Sequence, residues 1–192
     1  MTIQPGGAQG KDSYVSSNYP DTNYGSLPFL NIGKNDSSFS LKVIRADYPY
    51  VSIYKYFRAY LQFDLSTLPA DAVIVNADLK LYQFNNSETD DFMIALHRVT
   101  ESWDETTITY NNQPAYSLSP ESTIAITAGA FTWLSWDITT LLQGWLDASI
   151  GNYGIVLKET NESLLNVSGC YSAEVIPEPT LRPKIEITYY VP

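Results

Sequence analysis

The sequence predicts an all-β protein, a two-sheet antiparallel jelly-roll β-sandwich with one short helix, and three observations carry that prediction. Apolar and polar residues alternate at period two through most of the chain, the mark of strands with one buried face. The alternating stretches are short and are separated by segments rich in Gly, Pro, Asn, Asp and Ser. One stretch, near residues 139 to 147, breaks the period and spaces its apolar residues as a helix does. About ten or eleven strands with this spacing argue for two packed sheets.

In chain order, residues 1–11, "MTIQPGGAQGK", read as an N-terminal extension or first edge strand, and residues 12–192 as a single domain. A chain of 192 residues suits one sandwich and buries roughly 70% of its unfolded surface, so it has a core without disulfide or metal. The strands "SYVSS" and "FLNIG" flank "PDTNYG", where Pro-Asp and Asn-x-Gly shape a turn and Gly25 is expected to supply a backbone angle that a side chain would forbid. The segment "KNDSSFSLKVIRADYPYVSIYKYF" holds a candidate strand, "LKVIR", and then Tyr48, Tyr50, Tyr54 and Tyr56. Pro49 breaks a central strand, so this segment reads as an edge hairpin or projecting loop.

In "FRAYLQFDL", Phe57, Ala59, Leu61, Phe63 and Leu65 share one face, with Arg58, Tyr60, Gln62 and Asp64 on the other. "VIVNADLKLYQF" points Val73, Val75, Ala77, Leu79 and Leu81 inward. "MIALHRV", "TIAIT", "FTWLSWDI", "GIVLKE", "GCYSA" and "KIEITYY", the last with Ile185, Ile187 and Tyr189 inward, complete the strands. In "DITTLLQGWLDAS", Leu141, Leu142, Trp145 and Leu146 take helical spacing after Asp137 and Thr139, both of which cap helices. This helix is expected to lie across one end of the fold, with Trp145 plugging the core.

Composition narrows the function. With 21 acidic against 11 basic residues the net charge is −10, which repels a phosphate backbone and excludes nucleic acid as a partner. No apolar run approaches the 18 or so residues of a membrane span, so membrane insertion is not expected, and no signal peptide is visible. The single cysteine, Cys170, lies in the small-residue run "SGCYSA" and reads as a buried, inert thiol. The single histidine, His97 in "IALHRV", reads as structural, and no nucleophile elbow, phosphate loop or metal-binding histidine pair occurs. Asp104 and Glu105 are the adjacent carboxylates open to acid–base work, but "WDETTITYNN" reads as a turn capping the next strand. The chain is not expected to be an enzyme.

The stretches "DSYVSSNYPDTNYGS", "RAYLQFDLSTLP", "ADLKLY", "ESWDETTITYNNQP", "WDITTLLQGWL", "NYGIVLKE" and "RPKIEITY" together resemble the DNRLRE domain family over residues 12 to 190. The resemblance implies a jelly-roll module of a surface or secreted protein, similar to alginate-type carbohydrate-binding modules, with no known catalysis. The tyrosine-rich segment before "RAYLQFDL" is longer than that pattern has it and marks a specialised surface.

Two functions follow as expectations. In the first, the chain is a non-catalytic extracellular or surface module that binds a polysaccharide, because its 15 tyrosines and 4 tryptophans exceed the needs of a core and stack well on sugar rings. The expected contacts are Tyr48, Tyr50, Tyr54, Arg45 and Lys55, with Lys42 and Arg58 making that face locally positive. In the second, it is a self-assembling structural subunit of a surface appendage, fibre or virus particle, docking copies through its N-terminus or a sheet edge. A structural calcium ion is an expectation of its own, with Asp12, Asp21, Asn23 and Glu174 as oxygen ligands. Such an ion would also let an acidic surface hold an acidic glycan. The expected location is extracellular, on the cell surface or on a particle.

Overall fold

The period-two stretches form eleven antiparallel strands in a computed structural model that describes residues 1–4, 6, 10–37, 53–86, 92–126, 131–162 and 165–192. In chain order these are β1 (Thr2–Ile3), β2 (Gly10–Ser16), β3 (Phe29–Ser37), β4 (Ile53–Phe63), β5 (Val73–Asn86), β6 (Phe92–Arg98), β7 (Ser122–Ile126), β8 (Thr132–Asp137), β9 (Ile155–Glu159), β10 (Val167–Tyr171) and β11 (Lys184–Tyr190). The helix α1 (Thr139–Leu146) follows β8. Among the described residues no helix is long and apolar enough to cross a membrane. "LKVIR" and the residues Arg45, Tyr48 and Tyr50 lie outside the described residues, and of Tyr54 only the backbone is described.

All strands belong to one hydrogen-bonded sheet, in the order β1-β11-β5-β10-β3-β4-β9-β6-β7, with β2 added on β4 and β8 on β5. The sequence led us to expect two separate sheets. They are joined because β5 is long: residues 73–80 pair with β11, whereas residues 83–86 pair with β10. The sheet curls so that its inner faces enclose one core in which Leu79, Leu81, Leu61, Ile94, Leu96 and Trp136 meet. The Trp136 indole N–H donates to the Ile94 carbonyl (3.2 Å), tying β8 to β6 through the interior.

The alternation read from β4 holds, since Ala59, Leu61 and Phe63 are buried. In β5 it fails at the start: Val75 is 58% exposed and Ile74 is buried instead. The ladder with β11 shifts register between Thr188 and Tyr189, opposite Asn76 and Ile74, and a bulge of this kind reverses which face the strand's earlier residues take. Alternation places the outward residues of β4 under a second layer. Trp103, Ile108, Tyr110 and Tyr116, from the irregular segment between β6 and β7, pack on Tyr60, Val15 and Val156.

Helix α1 buries Leu141, Leu142 and Trp145 at the core, as its spacing implied. Its N-cap is Ile138, with no side-chain cap bond. Asp137 accepts the N–H of Thr139, the first helical residue (2.9 Å), and Thr139 Oγ1 accepts the Ala77 N–H (2.9 Å), so Asp137 holds the helix start and Thr139 binds it to β5. Cys170 and His97 are both buried; His97 Nδ1 lies 2.8 Å from the Ser117 carbonyl, and burial holds the imidazole below its ordinary value. Residues at the N-terminus belong to the sheet: β1 pairs with β11, and the Met1 ammonium donates to the Ile187 carbonyl (2.7 Å).

Candidate functional site

Two groupings of side chains stand out, an acidic centre inside the fold and an aromatic face outside it. The acidic centre begins with strand geometry. Asp12 pairs with Leu61 across β2 and β4, and residues directly opposite in an antiparallel ladder share a face, so Asp12 points to the same side as core Leu61 while Lys11 points away. Asp12 is only 3% exposed.

Two further carboxylates reach it from distant segments. Glu105 stands on a turn in which Asp104 accepts the Thr106 N–H (2.8 Å) and the Ile108 N–H donates to the Asp104 carbonyl (2.9 Å). Glu105 Oε1 accepts the Asp12 N–H (2.7 Å). Glu174 follows β10, where Ser172 Oγ donates to the Leu27 carbonyl (2.8 Å) and the Ala173 N–H donates to Asp12 Oδ2 (2.8 Å). One oxygen from each of Asp12, Glu105 and Glu174 lies within 4.8 Å of the others. Asp12 Oδ1 and Glu174 Oε2 are buried without a hydrogen-bond partner. Burial and, next, the Glu174 charge push the Asp12 carboxyl well above the usual range; Glu105 is pushed up first by burial and further by Glu174, against the pull of the Asp12 N–H.

The expected ligands thus divide. Asp12 and Glu174 come together, whereas Asp21 and Asn23 stand apart from them. Exposed Asp21 accepts a bond from Asn111 (2.7 Å). Asn23 turns its amide nitrogen to the Glu105 and Ile108 carbonyls (2.7 and 2.8 Å), so it clamps the turn that carries Glu105. Gly25 completes the clamp through space rather than angle. A Cβ there would lie 2.4 Å from the Glu105 carbonyl oxygen, and Gly25 does not share the positive φ of Gly33 and Gly154. Glu105 itself was hidden in a segment read as a strand cap; the segment after it runs instead across the outside of β4 and β9.

The aromatic face lies on the outward side of β5, β8 and β10. Tyr82 pairs with Trp133 across β5 and β8 and meets it edge-on at 5.3 Å; Tyr171 stacks on Tyr82 at 6.1 Å and meets Phe84 at 4.8 Å. All four rings are half-buried. Lys184 Nζ stands 4.4 Å from the Trp133 ring centre. Lys184 and Lys80 each reach Glu186 at 2.7 Å, and their hydrogen bonds pull that carboxyl down to about 2. The sequence carried a signal for this face. Lys80, Tyr82 and Phe84 occupy the positions of "LKLYQF" that alternate with inward Leu79, Leu81 and Gln83, so two aromatics sit where a strand shows polar residues.

Of the remaining candidates, Arg58 is occupied elsewhere. Arg58 binds Glu162 through two nitrogens (2.9 Å each) and Gln113 through the third (2.9 Å), and lies over Tyr110 and Tyr116. Lys55 is half-buried on β4 opposite Asn35. Two shallow clefts of about 380 and 430 Å³ flank the place where the Lys11 ammonium donates to the Trp103 carbonyl and covers its ring at 4.4 Å. Their linings include Asp104 and Asp64 but neither histidine nor cysteine.

Compared with known proteins, residues 7–182 match the sequence model described as carbohydrate-binding module family 96. No curated protein matches the chain.

Proposed function

Because the chain belongs to carbohydrate-binding module family 96, we propose that it binds a polysaccharide without cleaving it, on the outward face of β5, β8 and β10, as a module of an extracellular or cell-surface protein. In this reading the motifs that resemble the DNRLRE family and the carbohydrate-binding match describe one module, whose curled sheet serves as a jelly-roll frame. The observation that carries it is the row Trp133, Tyr82 and Tyr171 with Lys184 at its end. Aromatic rings offer a flat apolar surface to the C–H faces of a sugar at little entropic cost, and the lysines beside them suit hydroxyl or carboxylate groups.

Affinity electrophoresis in gels holding neutral and uronic-acid polysaccharides tests the assignment. Trp133→Ala and Tyr82→Ala should each weaken retention about tenfold, the equivalent of roughly 1.4 kcal/mol for a lost stacking ring. Paired substitution of Tyr48 and Tyr50 by alanine serves as the comparison. If that pair abolishes retention while Trp133→Ala leaves it intact, the binding surface is the tyrosine-rich segment and not this face.

A further inference from the structure

We propose that Glu186 sets the charge preference of the glycan-binding face: by holding Lys80 and Lys184 on its two oxygens, it restrains the face from taking carboxylate-bearing polysaccharides. The inference rests on the reading of the outward face of β5, β8 and β10 as the glycan-binding surface. Positions two apart on a strand share a face, as do residues directly opposite in a ladder, so this face and the adjoining part of β11 fall into rows across the strands. Tyr82 stands opposite Trp133 in the aromatic row. In the next row Lys80 stands opposite Lys184 on one side and Ser135 on the other. The row after that sets Asp78 between Glu186 and Asp137, so three carboxylates lie beyond two ammonium groups.

A sugar stacked on the aromatic row turns its substituents toward the lysine row. A hydroxyl needs only a hydrogen-bond partner there, whereas a carboxylate needs a cation whose charge is not already matched. Both lysines are matched. Lys80 Nζ stands 2.7 Å from Glu186 Oε2, and Lys184 Nζ stands 2.7 Å from Glu186 Oε1 while lying 4.4 Å from the Trp133 ring centre. The hydrogen bonds from Lys184 and Lys80 hold the Glu186 carboxyl at about 2, so it keeps its charge near neutral pH and does not release them by protonation. An incoming carboxylate must therefore share each lysine with Glu186 and meet Asp78 and Asp137 behind it, on a chain whose net charge is −10. Repulsion of this kind discriminates between ligands as well as attraction does. If Glu186 instead poised the lysines for a carboxylate, its removal would weaken the acidic ligand, so the two roles differ in sign.

The test is affinity electrophoresis of the full chain in gels of polygalacturonate and of polymannuronate, each beside its methyl ester, which keeps the sugar and removes the charge. Glu186→Gln keeps the side chain's length at an outward, half-buried position of β11. It should raise the ratio of acid to ester retention about tenfold at low salt. The rise should vanish in about 0.5 M sodium chloride, where charges are screened within about 4 Å. Asp78→Asn, in the same row and one strand over, should raise the ratio less. No rise, a fall, or a rise that survives the salt would overturn the proposal. An equal rise in Asp78→Asn would do so too, by making the effect one of net charge and not of Glu186. Trp133→Ala judges the glycan-binding reading separately, since that reading fails if retention of every polysaccharide survives the loss of the ring, whatever the ratio does.

Discussion

The guanidinium of Arg58 meets Glu162 through two parallel hydrogen bonds while Gln113 takes its third nitrogen, a geometry that a planar fork supplies and an ammonium does not. Burial pushes the Glu162 carboxyl up, but the hydrogen bond and charge of Arg58 outweigh it and hold the group below its ordinary 4.5. A carboxyl held low when folded stabilises the protein above its unfolded value, and that contribution is lost as pH falls through the folded value. Glu162→Gln should therefore cost about 2 kcal/mol at neutral pH, discounted for the partial exposure of the pair. The difference from wild type in urea denaturation should close as pH falls through the lowered folded-state value of Glu162; a difference that persists once the carboxyl is protonated would assign the effect to packing. At this scale the acidic centre was half legible. Asp12 and Glu174 were recognisable as oxygen donors because burial does not change what a carboxylate can offer. Asn23 was misread because an amide presents either its oxygen or its nitrogen, and only the fold shows that the nitrogen faces Glu105. Gly25 was expected to relieve an angle and instead makes room for a carbonyl, a distinction that no sequence position records.

Helix α1 is an element whose attachment matters more than its own hydrogen bonds. Gln143 Oε1 accepts the Ile74 N–H (2.7 Å), and its amide nitrogen reaches the Asp147 carboxylate (2.8 Å) and the Ala72 carbonyl (3.4 Å), so one side chain seats the helix on the start of β5. Gln143→Ala leaves the Ile74 N–H without its acceptor and should lower stability by about 1–2 kcal/mol, read from thermal melts. Gln143→Glu keeps an acceptor and should recover part of it; no recovery would mean that the side chain's bulk, not its oxygen, holds the helix. Helical spacing made α1 readable, and alternation made the inner face of β4 readable, because both report facing. Neither reports pairing. The bulge that turns Val75 outward is a property of β5 and β11 together, and so is the way β5 is shared between β11 and β10.

Across the whole molecule, the strand path joins segments far apart in sequence: β10 sits between β5 and β3, and β11 between β1 and β5. The strands and the all-β class were legible because each strand carries its own alternation. The order of strands was not, since it is decided by which inner faces fit each other around Trp136 and its neighbours. Cys170, on β10 in the middle of that path, is the chain's one cysteine and is 0% exposed, and burial pushes its thiol up to about 12. That combination makes it a clock for opening of the sheet. A thiol reagent can act only during excursions that part β10 from its neighbours, and with a single thiol the reaction follows one exponential whose rate counts those excursions. In native buffer labelling should run at least about a thousandfold slower than in denaturant, since strands at the centre of a sheet open near the global free energy of unfolding. Prompt labelling would instead show that the middle of the sheet breathes on its own, long before the molecule as a whole comes apart.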